Sequence, residues 1–339
     1  MIIDYFYPHD WEDVGYPSIY LRTRTEEGGL YTKVIEPDDE EYIPPHCWVP
    51  TNTHPMKLSR VVARYPGISL MRLDTPNPQV LYDIKNELRT YEADTPYEDQ
   101  IMFHMYPDVE KIPDFAPRIW YFDAEWQPNE PHQGATTMIS VDDTHAENPV
   151  IFAWNEEQDG HSIDFIDREG GYMLYMYENE DDMHSGFIKH LEESDPDMLI
   201  AHAMMWADLP QFMRRIKNPN RLSPINQVIK PRKNVGYRDT QQPILGRLCF
   251  DTALPWNSGS GLESVWQKSG KGQFRSRKLA SIAEELKLTE EYGEQGAKMD
   301  ADVRTWWVEN FDEFVDYCVR DTTLLRKCTE KVSAIPFHI

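Results

Sequence analysis

Apolar residues come in short runs through most of this chain and at helical spacing in its last quarter. In the first hundred residues, three runs predict strands: 19–23 (IYLRT), 29–35 (GLYTKVI) and 60–63 (RVVA). The residues around them are turn-forming and acidic. Pro78 opens a helical pattern over 78–88, at a position where the missing N–H costs nothing. The proline-flanked segment 113–117 (PDFAP) reads as a stiff connector and marks a boundary between a domain 1–115 and a domain 116–339.

Beyond the connector the runs lengthen. Strands are expected at 118–122 (RIWYF, ending in Asp123), 136–141, 150–154, 172–177, 197–201 and 248–252. Helices are expected at 181–192, from Asp208 with a proline in the first turn, at 278–286 and at 312–332. Strands first, then strands alternating with helices, predict an α/β domain with a mixed sheet flanked by helices. A small mixed α+β domain would precede it.

Composition narrows the class. The 339 residues are 40% hydrophobic and 12% aromatic, enough for a packed core. No run of 18 apolar residues occurs, and MIIDYFYPHDWEDV lacks the basic and apolar parts of a secretion signal, so no membrane partner and a cytoplasmic location are expected. Cys47, Cys249, Cys318 and Cys328 form no C-x-x-C, which fits buried thiols in a reducing compartment. His46, His54, His104 and His202 show no ligand spacing. Gly259, Gly261, Gly270 and Gly272 belong to no G-x-x-x-x-G-K-[ST] and read as loop.

The net charge of −24 argues against coating of nucleic acid, yet the charge is unevenly placed. Between Arg214 and Lys278 lie 14 Lys and Arg against three Asp and Glu, interleaved with Tyr237, Phe250, Trp256, Trp266 and Phe274. Cations beside stacking faces hold single strands without reading sequence. Trp266, Lys268, Lys271, Arg275 and Arg277, amid Gly and Ser, are the candidate DNA contacts.

The carboxylates carry the chemistry. Asp123 and Glu125 are two apart on a strand and share a face. Asp208 follows a buried strand and begins a helix. Tyr317 and Asp321 are four apart on the last helix and share its face. Four acids from separate elements meeting at one place need divalent cations to neutralise them. Two ions about 4 Å apart can activate a water and stabilise the leaving oxygen of a phosphodiester. Magnesium favours such oxygen ligands. D-x-E or Y-x-x-x-D alone is weak; the ordered set is far more specific.

That set resembles the proofreading 3′–5′ exonuclease domain of family B DNA polymerases, the tyrosine-type DEDD exonucleases. The first motif is Phe122-Asp123-Ala124-Glu125. The second runs from Asp195-Pro196-Asp197-Met198-Leu199-Ile200-Ala201-His202 to Ala207-Asp208-Leu209-Pro210. The third is Tyr317-Cys318-Val319-Arg320-Asp321. Arg221-Leu222-Ser223-Pro224 resembles a segment of tailed-phage polymerases. The segment from Lys278-Leu279 to Glu285-Leu286 resembles the helix before the third motif. Thr90-Tyr91-Glu92-Ala93-Asp94 followed by Ile112-Pro113 resembles the family's link between its N-terminal domain and its exonuclease. The likeness covers roughly residues 78–333.

The resemblance implies a ribonuclease-H-like fold after a family B N-terminal domain. It implies two Mg²⁺ or Mn²⁺ ions on Asp123, Glu125, Asp208 and Asp321, with Tyr317 orienting the attacking water. Nucleoside 5′-monophosphates would leave the 3′ end of single-stranded DNA, as in replication proofreading, in a host cytoplasm if the source is viral. The second motif departs from the family pattern. Ala203 stands where the family has Asn, whose side chain hydrogen-bonds near the scissile end, and Ala207 stands where it has Phe. The palm motif Y-x-D-T-D is absent, so polymerisation would come from a separate palm, fingers and thumb chain or a C-terminal region. Two other readings are a catalytically weak DNA- or polymerase-binding module and a lone nuclease of repair or RNA trimming.

Overall fold

The computed structural model describes residues 1–6, 16–50, 62–65, 68–108, 115–127, 132–157, 162–167, 171–231, 242–253, 276, 278–289 and 303–332. The chain divides into two compact units, Met1–Pro117 and Arg118–Ile339. Among the described residues no helix is long and apolar enough to cross a membrane.

The first unit holds two three-stranded antiparallel sheets. One is ordered β1 (Ile2–Phe6), β2 (Ser18–Arg24), β3 (Leu30–Ile35). The other is ordered β4 (His46–Pro50), β6 (Ile68–Asp74), β5 (Val62–Tyr65). The strand expected at 60–63 overlaps β5; residues 60–61 lie outside the described residues. Helix α1 (Pro78–Glu87) starts where expected; the Asn77 side chain accepts the Val80 N–H and caps it. Helix α2 (Tyr97–Met105) was not expected from sequence. Only Tyr97, Ile101 and Met105 show helical spacing in it, and they pack on Ile19, Leu21 and Ile35.

The second unit is an α/β body around a seven-stranded mixed sheet. Its strands are β7 (Ile119–Trp126), β8 (Thr136–Asp143), β9 (Val150–Trp154), β10 (Ser162–Ile166), β11 (Tyr172–Tyr177), β12 (Met198–Ala201) and β13 (Leu248–Asp251). The order across the sheet is β10-β11-β9-β8-β7-β12-β13. β8 is antiparallel to both its neighbours, β10 is antiparallel to β11, and the remaining pairs are parallel. Among the described residues, helices α3 (Glu180–Ser194), α4 (Asp208–Arg215), α5 (Leu279–Glu285), α6 (Val303–Glu309) and α7 (Phe311–Lys331) follow the strands or flank them.

Strand alternation decides which helix meets which face of the sheet. On β7, Trp120 and Phe122 point one way. Trp120 packs on Phe187 of α3 at a ring separation of 5.9 Å, and Phe122 stacks on Phe212 of α4 at 5.9 Å. Ile119 and Tyr121 point the other way and join Met198, Ile200 and Leu325 of α7 in a second cluster. The start of β7 is fastened by Arg118. Its guanidinium forks onto Asp143 and donates to the Ser194 carbonyl, while its N–H donates to Asp197.

Candidate functional site

Asp123 and Glu125 continue the odd-numbered face of β7, the face on which α7 lies. The sequence placed Asp123 at a strand end. Instead β7 runs on to Trp126, because β8 pairs with it throughout, Asp123 against Ser140 and Glu125 against Met138. A register shift between Glu125 and Trp126 ends the regular pairing just past the acids. From the helix side, Tyr317 and Asp321 meet Asp123 and Glu125 across a cleft of about 520 Å³. His202, Ala203, Trp206, Ala253, Ser276, Lys278 and Leu279 complete its walls.

Asp208 lies behind this lining as the first residue of α4, only 3% exposed. Its Oδ2 is buried with no hydrogen-bond partner among the described residues. The turn leading to it is fixed from β13. Asp251 accepts the Ala203 N–H at 2.9 Å, the Met205 N–H at 3.0 Å and the Ala253 N–H at 2.9 Å. That clamp holds Ala203 at φ +68°, a left-handed conformation that costs a non-glycine residue about 1–2 kcal/mol. Met204 and Met205 are buried in the core, and His202 Nδ1 lies 3.0 Å from the Thr252 hydroxyl. Asp251 is a contributor the sequence reading missed; an acid ending a strand carries no distinguishing local signal.

The acids act on one another. Burial raises the Asp123 carboxyl to about 6, opposed by a hydrogen bond from the Ala124 N–H. Burial raises Glu125 well above the usual range, and the charges of Asp123, Asp321 and Asp208 add to it. Asp208 is raised likewise, by burial first and then by Asp123 and Asp251. The Tyr317 phenol is pushed far up by burial, by Asp321, Glu125 and Asp123, and by its hydrogen bond to Asp321. It stays protonated at any physiological pH, so it can orient a ligand but cannot serve as a base. Cys318, next in the chain, is buried and its thiol is held protonated.

Among the described residues, no group of three or more His, Cys, Asp or Glu stands ready-made in metal-holding geometry. The donor set still suits a hard divalent cation. It is carboxylate oxygen, it carries mutual repulsion, and one oxygen of Asp208 is buried and unsatisfied.

Trp266, Lys268, Lys271, Arg275 and Arg277 lie outside the described residues. In the described part of the basic stretch, several cations are compensated by acids. Arg215 pairs with Glu180, Lys217 with Asp181, Arg221 with Glu192, and buried Arg247 with Asp195. Among the described residues of that stretch, these four cations are thus each met by an acid. Lys278, at the cleft, is exposed.

No protein-family model matches the chain, and no curated protein matches it.

Proposed function

We propose that the chain is a metal-dependent 3′–5′ exonuclease of the tyrosine-type DEDD kind. In this reading it is the proofreading part of a family B DNA polymerase, with a ribonuclease-H-like second unit. The observation that carries it is the convergence of Asp123 and Glu125 from β7 with Tyr317 and Asp321 from α7 in one cleft, with Asp208 electrostatically coupled behind them. Chain-distant motifs that resemble one family in order also meet in space, on a mixed sheet with helices against its faces.

Asp123, Glu125, Asp208 and Asp321 would hold two Mg²⁺ or Mn²⁺ ions, which supply an activated water and charge stabilisation for phosphodiester cleavage. The chain's own groups do the rest. The Tyr317 hydroxyl, locked in its protonated form, orients the water or the phosphate oxygen. Asp251 keeps the turn before Asp208 in place. The substrate would be a single-stranded DNA 3′ end and the product a nucleoside 5′-monophosphate. The polymerase palm, fingers and thumb would lie in a partner chain or a C-terminal region, and the setting would be a cytoplasm.

A second reading rests on Ala203. It lines the cleft with a methyl where the resembled family has an asparagine. A catalytically weak module that binds DNA or a polymerase chain would tolerate that change.

The test is cleavage of a 3′-labelled single-stranded oligonucleotide in Mg²⁺ or Mn²⁺, on DNA and on RNA. The wild type is compared with the Asp123→Ala, Glu125→Ala double variant. Mononucleotide release from DNA by the wild type alone supports the exonuclease. Release by both, or by neither, sinks it, and release by neither alongside retained DNA binding favours the second reading.

A further inference from the structure

We infer that β10 is a docking edge for an extended segment of another protein chain, one in which a Lys or Arg stands between two apolar residues. Three strands separate β10 from β7, so this surface is distinct from the carboxylate cleft and does not depend on the nuclease reading. Among the described residues, β10 pairs with β11 alone and ends the sheet. Ile163 and Phe165 are two apart on it and share one face, and each is 53% exposed.

That face continues the core outward. Ile163 stands opposite Tyr175, and Tyr175 opposite buried Phe152, the two rings stacking at 5.4 Å. Phe165 stands opposite Met173, and Met173 opposite Val150. Helix α3 lies over β9 and β11, its His190 ring 5.5 Å from Phe152 and 6.4 Å from Tyr175. The apolar rows run one strand further, to Ile163 and Phe165. The Phe165 ring is seated on Gly171, at φ +78°, where a Cβ would stand 2.8 Å from the ring's Cζ. Natural sheet edges are guarded by lysine, proline or a bulge. β10 (SIDFI) has neither residue and pairs with β11 in unbroken register.

Charge selects the occupant. Asp164 and Asp167 are exposed, and neither makes an ion pair with a described residue. From Glu156 to Glu178 the chain carries seven Asp and Glu against one Arg. A second copy of β10, paired antiparallel over all five residues, would set Asp164 against Asp164, and like charges directly opposite destabilise a sheet. A cation opposite Asp164 makes the same position attractive. Its two neighbours then fall on the other face, opposite Ile163 and Phe165, where apolar side chains extend the rows. Main-chain hydrogen bonds of the added strand supply affinity, and those three positions supply specificity.

The experiment uses the full chain and three fluorescent peptides at low salt. One is centred on Val-Lys-Val and one on Val-Glu-Val. The third repeats the lysine peptide with its three central residues N-methylated, which removes their strand hydrogen bonds. Anisotropy should show the lysine peptide binding about fivefold tighter than the glutamate peptide, and the N-methylated peptide not binding. Asp164→Lys should reverse the preference, an outcome that loss of fold cannot produce. Ile163→Thr with Phe165→Thr should abolish binding of both peptides while circular dichroism is unchanged; if that variant does not fold, the Asp164→Lys reversal decides. Absence of binding, equal binding of the lysine and glutamate peptides, binding of the N-methylated peptide or an unreversed preference overturns the proposal. A dimer in sedimentation that Phe165→Thr dissolves overturns it too, because a second copy would then be the occupant.

Discussion

The Asp251 carboxylate accepts the backbone N–H of Ala203, 48 residues away in the chain, at 2.9 Å. A strand end thereby fixes the left-handed residue that turns the chain toward Asp208. The same carboxylate also takes the N–H groups of Met205 and Ala253. Burial raises Asp251, and the three donors hold it down in part.

Asp251→Asn replaces one acceptor oxygen by a donor and leaves at least one of the three N–H groups facing it unsatisfied. The expected loss is about 1–3 kcal/mol, partly offset because one charge acting on Asp208 disappears. Cleavage should fall as well. Denaturant midpoints at constant m-value give the stability change. A variant of wild-type stability would show that the clamp does not hold the turn.

The metal-free protein should lose stability as pH rises. Asp123 titrates at about 6 in the fold against an ordinary 3.8, so the folded form keeps its proton longer than the unfolded chain. The stability this contributes is complete below pH 3.8 and disappears as pH passes through about 6. Glu125 and Asp208, raised further, extend the decline upward. Divalent cations should reverse it, so Mg²⁺ should raise Tm more at pH 8 than at pH 5. Thermal melts with and without the ion check this; a Tm indifferent to Mg²⁺ and Mn²⁺ at pH 8 contradicts the two-ion site.

Tyr317→Phe removes a hydroxyl that hydrogen-bonds Asp321 and keeps the ring. Hydrolysis should slow on the order of 10²-fold while Mg²⁺-induced stabilisation persists. Single-turnover rates across pH are the measurement, and an unchanged rate returns Tyr317 to a packing role.

Substituting Lys268, Lys271, Arg275 and Arg277 together by alanine should weaken single-strand binding and flatten its salt dependence. Each lost phosphate contact removes about 0.7 from the slope of log affinity against log salt. Coincident slopes for wild type and variant would mean that this stretch does not touch DNA, and docking to a polymerase chain would explain it better.

Pairing of the candidate residues within each element was legible in the chain itself. Period two puts Asp123 beside Glu125, and a four-residue step puts Tyr317 beside Asp321, because backbone geometry alone sets those spacings. Most strands and helices of the second unit were legible for the same reason; their apolar runs are long and bounded by turn residues. Partners distant in sequence decided the rest. β7 extends past Glu125 because β8 supplies hydrogen bonds there. The charges of Arg215 and Arg221 are met by acids 35 and 29 residues earlier, pairings that a count of charge along the chain does not show. Met204 and Met205 are buried while the neighbouring Trp206 stays half-exposed in the cleft, on a turn held by Asp251. The chain settles which side chains neighbour one another within an element, whereas burial, charge compensation and the meeting of β7 with α7 depend on packing between elements far apart in sequence.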